Sequence, residues 1–104
     1  MTQERQRALD LAYRALNRKE RTVAELRAYL EGKRVEPESI DGAVEELTAA
    51  GFLDDARYAR RFAEDKRALE RWGGERIDRE LRRRGVPDHL VEAALAETEP
   101  DDEL

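Results

Sequence analysis

Residues 22–47, TVAELRAYLEGKRVEPESIDGAVEEL, and residues 73–98, GGERIDRELRRRGVPDHLVEAALAET, decide the fold, because the second stretch repeats the apolar pattern of the first at an offset of 51. At that offset Leu26 meets Ile77, Leu30 meets Leu81, Val35 meets Val86, Ile40 meets Val91, Ala43 meets Ala94 and Val44 meets Leu95, without a gap. Self-similarity at one fixed spacing is the mark of a repeated structural unit. Upstream the match is looser: Ala8 and Ala12 align with Ala59 and Ala63, and Leu11 with Phe62.

Each copy reads as three helices. Leu9, Ala12, Tyr13 and Leu16 recur at three and four residues, which places them on one face of a first helix over roughly residues 3–17. Thr22 is an N-cap residue, and Glu25 three positions later completes a capping box. Val23, Leu26 and Leu30 form the stripe of this second helix. Pro37 suits the first turn of a third helix and Gly51 its C-terminal cap, with Ile40, Ala43, Val44 and Leu47 inward. In the second copy Asp54 or Asp55 caps a fourth helix with Ala59, Phe62, Ala63 and Leu69 inward, and Trp72-Gly73-Gly74 breaks it. A fifth helix buries Ile77 and Leu81 and stops at Gly85. A sixth starts at Pro87 and buries Leu90, Val91, Ala94 and Leu95. No segment alternates apolar and polar residues as a strand does.

The expected fold class is therefore all-α: tandem three-helix repeats, two units and about six helices, extended rather than globular. The expected division is a first repeat over residues 1–50, a second over 51–97, and an acidic, disordered tail over 98–104. Phe52 and Leu53 lie outside the helix stripes and are expected to wedge between the two units.

The composition agrees. Ala, Glu, Lys, Leu and Arg supply 63 of 104 residues, a helical mixture, while Leu, Ile, Val and Phe supply only 21, which makes the core thin. There is no cysteine, which excludes disulfides, thiolate metal sites and a cysteine nucleophile. The one histidine, His89, has no partner at metal-ligand spacing, and the one serine, Ser39, has no base beside it. Asp54-Asp55 reads as a helix start rather than a catalytic pair, since acidic side chains suit free N–H groups there. Gly73-Gly74 is a turn, because no Lys-Ser/Thr follows as in a phosphate loop. A non-enzyme without metal or cofactor is expected. No apolar run approaches the ~18 residues of a membrane span, so a soluble, cytoplasmic protein with no membrane partner is the default.

Charge is the informative feature. The net charge is -5, but residues 57–84 hold 11 basic and six acidic side chains, and the chain after Arg84 holds seven acids and no base. Arg76, Arg79 and Arg83 share one face of the fifth helix, opposite Ile77 and Leu81. Arg57, Arg60, Arg61 and Arg71 lie away from the apolar stripe of the fourth. These residues, with Arg82, are the expected partner- or DNA-binding surface. A solvated face knit by the pairs Glu75–Arg79, Asp78–Arg82, Glu80–Arg84 and Arg60–Glu64 is the competing reading, each pair contributing roughly 0.2–0.5 kcal/mol. The repeat supplies a control: the positions equivalent to Arg76, Arg79 and Arg83 are Glu25, Ala28 and Gly32, so the fold itself does not require arginine there. Tyr58, Phe62 and Trp72 lie among these bases, and exposed rings would suit stacking of single-stranded nucleic acid. Phe62 falls on the apolar stripe; Trp72 is either exposed or closes the turn.

Three segments, TVAELRAYL (22–30), GFLDDARYA (51–59) and IDRELRRRGV (77–86), resemble the RecX regulators of bacterial recombination in order and spacing, over roughly residues 5–97. The resemblance implies an all-helical protein of tandem three-helix repeats without a catalytic site. It implies a protein that binds the RecA filament on DNA, restrains filament growth and strand exchange, and contacts single- or double-stranded DNA weakly. It assigns that contact to Arg76, Arg79, Arg82 and Arg83, with Arg57, Arg60 and Arg61 before them. Members usually carry a third repeat, whereas this sequence runs into its acidic tail after two, which leaves a short form and a truncated one both open. Lys33-Arg34 also stands where Lys-Gly is common in the family.

Overall fold

The computed structural model describes residues 2–100 as six helices: α1 Thr2–Arg18, α2 Val23–Gly32, α3 Pro37–Ala49, α4 Asp55–Leu69, α5 Gly74–Arg83 and α6 Asp88–Thr98. Among the described residues there is no strand. The chain divides after Asp54 into two compact units of three helices each.

In the first unit α1 buries Ala8, Leu9, Ala12 and Ala15, with Tyr13 and Leu16 packed at the margin. The capping box forms as the sequence predicts. The Thr22 hydroxyl accepts from the Glu25 N–H at 3.0 Å, and the Glu25 carboxylate accepts from the Thr22 N–H at 3.0 Å. Leu26 and Leu30 are fully buried, each contributing roughly 1.5–3 kcal/mol through burial. The chain then reverses through Arg34 at φ 64°, and the Val35 N–H donates to the Leu30 carbonyl at 3.1 Å. Pro37 opens α3, which buries Ile40, Ala43, Val44 and Leu47. Gly51, at φ 86°, ends that helix, and the Phe52 N–H closes onto the Leu47 carbonyl at 2.9 Å. Leu53, expected as a wedge between units, is buried in the first unit's own core. Phe52 is exposed and meets the Tyr13 ring edge-on at 5.4 Å.

The second unit repeats this plan. Tyr58, Ala59 and Ala63 of α4, Ile77 and Leu81 of α5, Val86, and Val91 and Ala94 of α6 form its core. Gly85 takes the left-handed conformation at φ 87°, and the Val86 N–H donates to the Leu81 carbonyl at 3.1 Å, the equivalent of Val35 on Leu30. Leu69 corrects the sequence reading: it is 77% exposed. It is the last residue of α4, and Trp72, edge-on to Phe62 at 5.9 Å, covers that end of the core instead. The tail reading shifts as well. Thr98 is helical, its hydroxyl donates to the Ala94 carbonyl at 2.8 Å, and the same oxygen accepts from Arg67 Nε at 3.1 Å. Glu99 and Pro100 are outside any helix, and the rest of the expected tail lies outside the described residues.

Two substitutions test these helix ends. Thr22→Ala is expected to destabilise the protein by about 1 kcal/mol through loss of the cap. Arg34→Gly is expected to stabilise it by roughly 1 kcal/mol, because glycine takes the left-handed conformation without a Cβ clash. Urea unfolding measures both; a destabilised Arg34→Gly variant would contradict the conformation assigned to Arg34.

Candidate functional site

The site grows from α5, a helix with two faces. Ile77 and Leu81 anchor one in the core of the second unit. The other carries arginines, and Arg76, Arg79, Arg82 and Arg83 line one open concavity with Trp72. The structure thus brings together four of the eight residues singled out in the sequence. Arg57, Arg60 and Arg61 stand on α4 and Arg71 in the turn after it, where Arg71 takes φ 58°, and none of these four lines the concavity.

The arginines of the α5 stretch differ in how their charge is met. Arg82 bonds Asp78 at 2.7 Å, lies against Asp88, and reaches Glu92 at 4.0 Å. The hydrogen bond to Asp78, with the charges of Asp78, Asp88 and Glu92, raises its already high pKa. Glu80 takes Arg83 Nη2 at 2.5 Å and Arg84 Nε at 2.7 Å. Hydrogen bonds from Arg83 and Arg84 lower the Glu80 carboxyl from its ordinary 4.5 to about 2. Arg84 also donates to the buried Tyr58 hydroxyl at 2.6 Å. Arg76 and Arg79, by contrast, pair with no carboxylate among the described residues. The predicted Glu75–Arg79 and Arg60–Glu64 pairs are not formed, and Arg60 lies 3.9 Å from Glu97 of α6 instead. Asp78–Arg82 and Glu80–Arg84 form as the spacing predicts.

The aromatic rings resolve into distinct roles. Tyr58 is buried and stacks on Phe62 at 6.2 Å with planes 13° apart. Trp72 is half-buried and carries two cations, Arg76 Cζ at 3.8 Å and Lys66 Nζ at 4.8 Å from its ring centroid. It therefore closes the turn and fixes Arg76 at the rim of the concavity, rather than standing as a bare stacking platform. Lys66 escaped the sequence reading, although its basic charge six residues before Trp72 was visible there. Asp78 and Glu80 also line the concavity, so its capacity for an anionic partner lies in Arg76 and Arg79, and no group of three His, Cys, Asp or Glu side chains among the described residues could hold a metal.

Residues 8–47 match the description "RecX, first three-helix domain", and residues 54–95 match "RecX, second three-helix domain". The chain belongs to the RecX family. It is 41% identical over 91 residues to the regulatory protein RecX of Lactobacillus delbrueckii subsp. bulgaricus, covering 88% of this chain and 34% of that protein. The RecX of Trichlorobacter lovleyi is 43% identical over 94 residues, covering 89% of this chain and 61% of the other. The RecX of Thermus thermophilus is 39% identical over 97 residues, with 93% and 66% covered. The chain thus spans about a third of the Lactobacillus relative and under two thirds of the Trichlorobacter one. The crystal structure of RecX from Lactobacillus salivarius shares the fold, with a TM-score of 0.89 at 20% identity, over 93% of this chain and 63% of that one. RecX relatives are named as regulatory proteins. No helix among the described residues is long and apolar enough to cross a membrane.

The Glu80 shift predicts a pH dependence. Its carboxyl titrates lower in the folded state than in the unfolded one, so its contribution is complete above 4.5 and disappears as pH falls towards about 2. Trp72, the only tryptophan, reports unfolding of this unit. The stability difference between the wild type and Glu80→Gln, followed by Trp72 fluorescence, is expected to be constant at neutral pH and to shrink across that acid window.

Proposed function

We propose that this chain is a non-enzymatic inhibitor of the RecA recombinase, binding the RecA–DNA filament and restraining its growth and strand exchange. The observation that carries the reading is the match of both RecX three-helix domains, in order, along one chain. The α5 surface supports it chemically. Arg76 and Arg79 project charge that no carboxylate of the described residues neutralises, beside a ring that holds Arg76 in place. Arg82 and Arg83 are occupied by Asp78 and Glu80 and contribute more to the rigidity of α5 than to its field. Arg57, Arg60 and Arg61 on α4 and Arg71 in the turn after it are included in the proposed surface for their charge alone, since none of them lines the concavity. Charged rims of this kind act on association rate and specificity more than on affinity.

The unpaired state of Arg79 favours a second reading, direct binding of DNA phosphates by the same surface. Phosphate neutralisation makes such binding weaken steeply with salt. The acidic C-terminal stretch opposes it.

The test is RecA-dependent ATP hydrolysis and strand exchange with the purified protein added. Inhibition near stoichiometric ratios is expected, and no effect at micromolar excess over RecA removes the proposal. Arg76→Ala with Arg79→Ala is expected to weaken inhibition several-fold with helix content and thermal midpoint unchanged; a collapse in stability would make the stripe structural. Salt-sensitive binding of DNA in the absence of RecA, lost in the same variant, would favour the second reading.

A further inference from the structure

A separate cationic cluster sits in the first unit, on residues that neither the charge count nor the α5 surface uses. Tyr29 of α2 is half-buried against the core of that unit. Three cations crowd its ring: Arg21 Cζ at 5.2 Å, Lys33 Nζ at 5.6 Å and Arg18 Cζ at 5.7 Å from the centroid. None of the three forms an ion pair among the described residues. Arg21 is fixed by its Nε, which donates to the Ala15 carbonyl at 3.1 Å, leaving the rest of its fork unspent.

The internal repeat shows what is unusual here. At the offset of 51, Glu80 occupies the place of Tyr29, and Arg84 that of Lys33. In the second unit the Glu80 carboxylate meets Arg84 at 2.7 Å and neutralises it. In the first unit the acid is replaced by an uncharged ring. A ring face attracts cations, but it cancels none of their mutual repulsion. Three like charges therefore surround one ring, and none of them is met by a carboxylate among the described residues.

We propose that Arg18, Arg21 and Lys33, gathered around Tyr29, form a binding site for a phosphate-bearing ligand with adjacent phosphates, either a free polyphosphate or a nucleic-acid backbone. A compact, multiply charged anion satisfies all three cations at once, which a single carboxylate does not. Arginine forks and a lysine ammonium are the donors suited to phosphate oxygens. The Tyr29 ring is already covered by cations and does not stack a base, so the site contacts phosphate without reading sequence. It lies in the other unit from the α5 surface, and its test does not involve RecA.

The experiment titrates the full chain at low salt with inorganic pyrophosphate and, separately, with an oligothymidylate, following arginine side-chain and Tyr29 ring resonances by NMR. Shifts centred on Arg18, Arg21, Tyr29 and Lys33 are expected. Arg18→Ala with Lys33→Ala, both exposed positions, is expected to weaken binding at least tenfold. With the oligothymidylate, that variant is also expected to flatten the dependence of log affinity on log salt by about 0.7 per charge removed. Tyr29→Glu, which installs the arrangement of the second unit, is expected to abolish binding. Response to pyrophosphate alone assigns a free polyphosphate, and response to the oligothymidylate assigns a nucleic-acid backbone. Response to neither, or equal binding by the double variant, overturns the proposal.

Discussion

Close approach of helices at alanine is the constraint on which both units depend. Ala8, Ala12 and Ala15 of α1 are fully buried, as are Ala59 and Ala63 of α4. A methyl group at these places lets α1 and α4 lie close to their neighbours, so a few aliphatic side chains fill what space remains. That is how a chain with so little leucine, isoleucine, valine and phenylalanine still encloses a core in each unit. The same smallness makes these positions intolerant, because an added branch has nowhere to go and overpacking is itself destabilising by typically 1–3 kcal/mol. Ala8 and Ala12 stand at the offset of 51 from Ala59 and Ala63, so the close approach recurs with the repeat.

The helical plan was legible in the sequence because it depends on spacing along one chain. The stripes Leu26–Leu30 and Ile77–Leu81, the Thr22–Glu25 box and the breaks at Gly51 and Gly85 are all local signals. What escaped depends on where a helix stops and what lies across from it. Leu69 fits the stripe of α4, yet the helix ends there and Trp72 takes over the packing. That Tyr58 is buried against Arg84 was not legible either, because the two are 26 residues apart.

The candidate surface was legible to the same degree. That Arg76, Arg79 and Arg83 share a face follows from helical period. Which of them is neutralised does not, since the acids at hand could pair in several ways. Arg60 chose Glu97 on another helix over Glu64 on its own, and Glu75 left Arg79 alone. The net charge of a segment therefore overstates the field it presents. Of the five basic residues of the α5 stretch, three are occupied by carboxylates, and the outward field comes from Arg76 and Arg79.

The exchange of Glu80 for Tyr29 at one repeat position has a consequence for how the two units meet their medium. Around Glu80 opposite charges attract, and dissolved salt weakens that attraction. Around Tyr29 like charges repel, and the same salt relieves the repulsion. At these two spots ionic strength acts on the two units with opposite sign, so a duplicated scaffold with one kind of core holds two local environments that respond in contrary directions to a single change in the cell.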